Sequence, residues 1–253
     1  MPKPTLEQLI VKRFHKACSE YQLIQDGDHV LVALSGGKDS LCLLELMARQ
    51  ASIFRPSFRV EAVHVRMKNI RYETDTTYLE NFCRERGVVL HVVNAEFSTG
   101  EHAVEANSQK TNLRKQKTPC FLCSWNRRKQ IFNLAQELGC NKIAFGHHMD
   151  DILHTTLMNQ FFQGRFEGMP VKLKMKKMPL TIIRPLCLCH EADIAALARE
   201  RQYQKQRKLC PYEHETHRQD VADIFRKAES VNPEARFCLW RALESEGKLV
   251  ENQ

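Results

Sequence analysis

His29-Val30-Leu31-Val32-Ala33-Leu34-Ser35-Gly36-Gly37-Lys38-Asp39-Ser40 is the stretch whose reading decides the fold of this chain. Residues 29–34 form an apolar, β-branched run of strand length, the composition of a strand buried on both faces of a parallel sheet. Ser40 to Gln50 follows with helical periodicity through Leu41, Leu44 and Met47. Between them sits a tight glycine turn. A strand that passes through such a turn into a helix is the opening unit of an α/β protein, and in open α/β sheets ligands bind beyond the carboxyl ends of the strands.

The turn itself suits a phosphate. Gly36 and Gly37 allow positive φ and close approach of the backbone to an anion. The helix behind them offers unpaired N–H groups and the positive end of its dipole. Lys38 would neutralise charge, Ser35 and Ser40 can donate hydrogen bonds, and Asp39 can orient a magnesium ion. The spacing is not that of a Walker A loop, which places four residues between its first glycine and Gly-Lys. It also lacks the Gly-x-Gly-x-x-Gly of a dinucleotide-binding turn.

Working outward, residues 5–25 read as an amphipathic helix that Asp26-Gly27-Asp28 breaks. Strands are expected at Arg59–Met67, Val88–Ala95, Asn141–Phe145 and Leu180–Leu186, and helices at Thr74–Arg86, Ser124–Leu138, Ile152–Phe162 and Glu191–Arg201. Gly100 to Thr118 is polar and irregular, a long loop, and residues 164–179 are a basic, Met-rich excursion. Alternating strands and helices predict a doubly wound parallel sheet. The expected organisation is a helical N-terminal extension (1–25), the α/β domain (26–203) and a mostly helical C-terminal segment (204–253).

The chain of 253 residues has no apolar run near the length that spans a bilayer, and its polar N-terminal pattern lacks a signal-peptide core. A cytosolic protein is the expectation. Its formal net charge of +8 favours a polyanionic partner such as nucleic acid.

Ten cysteines in a long chain of this type do not indicate a disulfide scaffold. Cys120-Phe121-Leu122-Cys123 opens a helix, and this spacing lets two thiolates chelate one centre. The helix N-terminus, with Arg127, Arg128 and Lys129 close behind, favours the thiolate form. A redox dithiol, a zinc site and an iron–sulfur site all remain open. Cys187-x-Cys189 falls in a segment, Thr181 to Leu188, that reads as strand, where residues two apart share a face and small buried cysteines are the natural reading. Cys210 stands before Pro211 in a loop that core packing explains poorly, so it is a candidate third ligand.

Ser35–Ser40 resembles the PP-loop, Ser-Gly-Gly-x-Asp-Ser, of the ATP pyrophosphatase superfamily, whose members cleave ATP between the α and β phosphates and transfer AMP to an oxygen. Together with Cys120-x-x-Cys123, Gly146-His147-His148-Met149-Asp150-Asp151, Gly168-Met169-Pro170, Arg184-Pro185-Leu186 and Cys210, in that order, the chain looks like the tRNA 2-thiocytidine biosynthesis family of sulfurtransferases over roughly residues 10–230. The resemblance implies an adenine-nucleotide α-hydrolase-like fold, ATP, magnesium, and a [4Fe–4S] cluster held by Cys120, Cys123 and Cys210. It also implies tRNA as substrate, thiolated at cytidine 32, a sulfur donor (a cysteine desulfurase or sulfide) and a homodimer.

On that reading ATP lies over Ser35, Gly36, Gly37, Lys38, Asp39 and Ser40, with Ala33 and His64 at the ends of the first two strands beside the nucleoside. Gly146 and Asp151 complete the pocket, and Asp39 and Asp151 hold magnesium. Asp39, Cys120, Cys123 and Cys210 carry the chemistry. Lys115, Arg127, Arg128, Lys172, Lys174, Lys176 and Lys177 are candidates for the tRNA backbone, and His147 and His148 for orienting phosphate or base. One departure is visible: the family's third-ligand region commonly reads Pro-Cys-x-x-Cys-Gly-Ser-Gln, whereas here Cys210 stands alone in Lys208-Leu209-Cys210-Pro211-Tyr212. The rivals are a PP-loop enzyme with a nitrogen nucleophile, such as a lysidine synthetase or amidating ligase, and a non-catalytic nucleotide- or RNA-binding protein.

Overall fold

The computed structural model describes residues 4–68, 70–96, 119–209 and 217–252. The elements run α1 (Leu6–Glu20), β1 (His29–Ala33), α2 (Lys38–Ala51), β2 (Arg59–Met67), β3 (Arg71–Tyr72), α3 (Thr77–Arg84), β4 (Val89–Ala95), α4 (Pro119–Glu137) and β5 (Lys142–Ala144). They continue α5 (Met149–Gln163), β6 (Lys172–Lys174), β7 (Thr181–Ile183), α6 (Glu191–Glu200), β8 (Lys208–Leu209), α7 (Arg218–Val231), α8 (Ala235–Ser245) and β9 (Val250–Asn252).

Strand pairing follows from burial. β1 is apolar from Val30 to Ala33 and takes the centre, pairing in parallel with β2 on one side (Val32 opposite Ala62) and β5 on the other (Val32 opposite Ala144). The full sheet has the order β4-β2-β1-β5-β7-β6-β9, its first five strands parallel, as expected of a doubly wound sheet. β6 runs antiparallel to β7, and β9 pairs in parallel with β6. β3 and β8 form a separate antiparallel ribbon. Because β2 and β5 leave β1 in opposite directions, the strand order reverses between β1 and β5, the place where such sheets open a crevice.

Alternation along β1 divides the core. Val30 and Val32 face Ile10 and Phe14 of α1, Leu41 and Leu44 of α2 and Leu243 of α8, all buried in one cluster. Leu31 faces the other way, into a smaller cluster with Val63 and Val65 of β2 and Ile131 and Ala135 of α4. Each of the larger side chains among these contributes about 1.5–3 kcal/mol through burial. α4 therefore covers the second face, and its position fixes what stands over the carboxyl ends of β1 and β2.

Several boundaries differ from the sequence reading. The strand expected to run through Leu186 ends at Ile183, and Pro185 to Leu188 form a turn, since proline has no N–H to extend a ladder. Cys187 and Cys189 are buried as expected, but in that turn and not on a strand. The basic excursion contains β6, and the C-terminal segment ends in β9. The loop expected at Gly100–Thr118 lies outside the described residues. No helix among the described residues is long and apolar enough to cross a membrane.

Candidate active site

The glycine turn sits where its sequence placed it, between β1 and α2. Gly36 has φ +81°, a left-handed conformation that glycine adopts freely. A Cβ there would stand 2.5 Å from Cβ of Gln206, whose backbone N–H donates to the Gly36 carbonyl at 2.9 Å. Gly37 caps α2 without any side-chain hydrogen bond, so the first turn of that helix keeps its donors for an anion. Ser35 Oγ accepts from the Gly37 N–H at 3.3 Å and donates to Ser40 Oγ at 3.1 Å, and Ser40 Oγ donates to the Gly37 carbonyl at 2.9 Å. Lys38 Nζ lies 3.2 Å from Asp39 and 3.1 Å from Glu191. Burial alone would lower its pKa, but these two carboxylates outweigh it and hold the ammonium above its ordinary value. Burial raises the Asp39 pKa against the pull of Lys38 and His148, and Oδ1 of Asp39 is buried without a hydrogen bond.

The turn after β5 faces this loop. Gly146 makes that possible: a Cβ on it would lie 3.0 Å from the backbone carbonyl of Asp39 and 3.1 Å from the Ser40 nitrogen. His148 then caps α5, in a reciprocal arrangement with Asp151. Burial opposes the charged imidazole, but the hydrogen bond to Asp150 and the charges of Asp151 and Asp39 hold the His148 pKa above its ordinary value. His147 behaves oppositely. Burial and the neighbouring Arg184 charge lower its pKa to about 4, and Arg184 Nε donates to His147 Nδ1 at 3.3 Å, so the neutral ring carries its proton on Nε2. Asp150 braces the turn: it accepts from the Glu191 N–H at 2.8 Å and from Arg236 at 2.6 Å, and these bonds, with His148, hold it far below the usual carboxylate range despite burial.

These two turns and α4 enclose a cavity of ≈ 400 Å³ over the carboxyl ends of β1, β2 and β5, within the range of small-molecule sites. Its walls are Ala33, Ser35, Asp39 and Ser40 on the loop side, Gly146, His147 and Asp151 on the α5 side, and Ser124, Arg127, Arg128 and Ile131 of α4. Arg127 and Arg128, read from sequence as backbone contacts for RNA, thus stand in the cavity wall. Positions 124, 127, 128 and 131 follow Cys120 at helical spacing, a period the sequence carries but which the cysteine motif overshadowed. His64 is not brought to the cavity. It lies inside β2, which runs on to Met67, and strand alternation turns Val63 and Val65 toward the cavity instead. His64 Nδ1 is 2.7 Å from the Leu34 carbonyl, and burial lowers its pKa.

Cys120 and Cys123 lie in the first turn of α4, the former exposed and the latter half-buried. Cys210 and Lys115 lie outside the described residues. The residue before Cys210 is placed, however: Leu209 pairs with Arg71 in the β3–β8 ribbon, and Tyr72 of that ribbon accepts a 3.1 Å hydrogen bond from Arg127, one turn beyond Cys123. Among the described residues no group of three or more His, Cys, Asp or Glu side chains is arranged to hold a metal ion. Asp39 and Asp151 supply two carboxylates on the cavity wall, a set that suits magnesium, which keeps waters and takes further ligands from phosphate.

The model of the PP-loop domain matches residues 6–221. A tRNA-cytidine(32) 2-sulfurtransferase of Pseudomonas putida (strain GB-1) is 33% identical over 91% of this chain and 81% of its own length. The chain belongs to that PP-loop sulfurtransferase family. The Francisella tularensis subsp. novicida (strain U112) tRNA-cytidine(32) 2-sulfurtransferase 1 is 30% identical, with 95% and 86% covered. The Sodalis glossinidius (strain morsitans) enzyme of the same name is 34% identical over 95% of this chain, which spans only 65% of that relative's length. These relatives are transferases by name. Among solved structures, the U34-tRNA thiolase NcsA from Methanococcus maripaludis with its [4Fe-4S] cluster superimposes with a TM-score of 0.73, covering 98% of this chain and 82% of that one at 23% identity. The NMN synthetase from Francisella tularensis gives 0.53 at 12% identity, covering 99% of each chain. Both bear on the fold, which is the adenine-nucleotide α-hydrolase-like α/β architecture expected of the family.

Proposed function

We propose that this chain is an ATP-dependent tRNA sulfurtransferase that adenylates the C2 carbonyl oxygen of a cytidine, at position 32 as its relatives are named, and replaces that oxygen with sulfur. One observation carries the reading. The α4 face that begins at Cys120 continues through Ser124, Arg127 and Ile131, and it lines the same cavity as Ser35, Asp39 and Ser40 of the phosphate loop. The helix that carries the thiol pair and the phosphate cradle thereby meet at one space.

ATP would lie with its phosphates on the uncapped first turn of α2, where Lys38 stays cationic. The target base leaves the stack so that its C2 oxygen can reach the α phosphate. That oxygen forms the new O–P bond as the bond to pyrophosphate breaks. Arg127 and Arg128 face the loop across the cavity and stabilise charge that grows on the α phosphate, the type of electrostatic help that weighs most in such reactions. His147, neutral with its proton on Nε2, donates a hydrogen bond without adding charge. Sulfur then forms a bond to C2, and the C–O bond breaks to release AMP.

Magnesium, when bound, would be held by Asp39 and Asp151 and would neutralise phosphate oxygens. An iron–sulfur cluster, when bound by Cys120, Cys123 and Cys210, would supply the sulfur as a nucleophile. tRNA, a sulfur donor (desulfurase or sulfide) and a second copy of the chain complete the assembly that the family implies.

Anaerobic turnover of unmodified tRNA with ATP and sulfide tests this. Thiolated cytidine, detected by nucleoside mass spectrometry, should appear in step with AMP, and Cys123→Ser should abolish the thiolated product. AMP formed with a nitrogen-substituted nucleoside would give the chain to the nitrogen-nucleophile group. No AMP at all would leave it a binding protein.

A further inference from the structure

We propose that Phe121 and Trp125 form a stacking platform on which unpaired tRNA bases beside the target nucleotide rest while that nucleotide occupies the cavity. This rests on the reading above and adds the surface that would hold the substrate.

The two rings are four residues apart on α4 and so share one face of the helix. They are 49% and 52% exposed, unusual for residues of this size side by side. The face lies one residue around the helix from the stripe that lines the cavity, since Ser124 belongs to the wall and Trp125 to the outside. The platform is therefore at the cavity rim. Lys129, a further turn along, places Nζ 5.6 Å from the Trp125 ring centroid. Charge sharpens the identity of the partner. From Pro119 to Gln136 the sequence holds no Asp or Glu, whereas Arg127, Arg128 and Lys129 are basic. Exposed aromatic rings set in a cationic, acid-free helix match a polyanion with exposed π faces, which is single-stranded nucleic acid. At this face a second copy would set Arg127, Arg128 and Lys129 against the same three cations, which disfavours self-association through this helix.

The chemistry needs such a surface. When a base turns out of its stack, its neighbours lose a stacking partner, and rings at the rim replace it.

The chain's two tryptophans allow a direct test, because Trp240 is buried at 7% exposure. Titrating the full-length protein with an unmodified anticodon stem-loop should quench tryptophan emission, and Trp125→Phe should abolish the quench while keeping affinity within about twofold. Trp125→Ala should weaken stem-loop binding about 5- to 50-fold, leaving the affinity for a blunt RNA duplex and for ATP unchanged. Tight stem-loop binding with no quench and with unchanged affinity in Trp125→Ala and Phe121→Ala would overturn the platform and leave the sulfurtransferase reading standing. Self-association weakened by Trp125→Ala, with stem-loop affinity unchanged, would assign the face to a second copy and also overturn it. Failure of the wild-type protein to bind the stem-loop would overturn both.

Discussion

The two ends of the parallel sheet carry the same kinds of residue in opposite states. At the amino end, Asp28 and Lys142 are 4% and 5% exposed and 2.6 Å apart. Lys142 also donates to the Leu23 carbonyl, and Asp28 accepts from Asn141 and from the Gln25 N–H. Glu61 spans His29 at 2.8 Å and His91 at 2.5 Å. Apart from Nδ1 of His29, the polar atoms there are occupied by one another. At the carboxyl end, Asp39 keeps an oxygen with no hydrogen bond, α2 has no side-chain cap, and two glycines hold space open. Charges that saturate each other hold the sheet together. Those left with capacity, beside an ≈ 400 Å³ cavity, are available to a ligand.

Breaking the closed end should have the largest effect. Lys142→Met leaves Asp28 charged and buried with its ammonium gone, and is expected to cost about 3–5 kcal/mol in urea unfolding, with ATP affinity of the folded fraction unchanged. At the open end, Asp39→Asn should reduce AMP formation on the order of 10²- to 10³-fold, a loss typical of removing one preorganised electrostatic partner, while the urea midpoint barely moves. If Asp39→Asn instead unfolded the protein and kept its turnover, the comparison would be inverted.

The smallest effect is in acid. Burial would raise the Glu61 pKa, but hydrogen bonds from His91 and His29 outweigh it and hold the carboxyl below its ordinary value. A depressed pKa contributes stability that is full above the unfolded value, about 4.3, and is lost as pH falls through the folded one. Glu61→Gln should therefore flatten the part of the stability profile below about pH 4.3, seen as converging urea midpoints for the two proteins as pH drops.

How far the sequence carried depended on the range of each signal. β1, the glycine turn and α2 were legible because strand burial, turn chemistry and helix periodicity all act within a dozen residues. β2 was legible to its boundaries, but the alternation that turns Val63 and Val65 to the cavity, and His64 away from it, shows only once the cavity's position is known. β6 and β9, three residues each, are too short for a period to show. Cys187 and Cys189 were rightly read as buried, although Pro185 makes their segment a turn. Arg127 and Arg128 needed the start of α4 at Pro119 before their direction could be known. Gln206 had no local signal at all, since its meeting with Gly36 is made by the packing of distant segments.

That meeting also sets an order of assembly. The phosphate loop is synthesised well before residue 206, yet among the described residues the Gly36 carbonyl finds its partner in Gln206, far along the chain. Contacts between segments so far apart in sequence form late, after the entropy of closing the intervening chain has been met. A nascent polypeptide that stops short of residue 206 has the whole loop motif but not its seat, so nucleotide capture matures after most of the sheet exists. The site is finished by a segment made long after its loop.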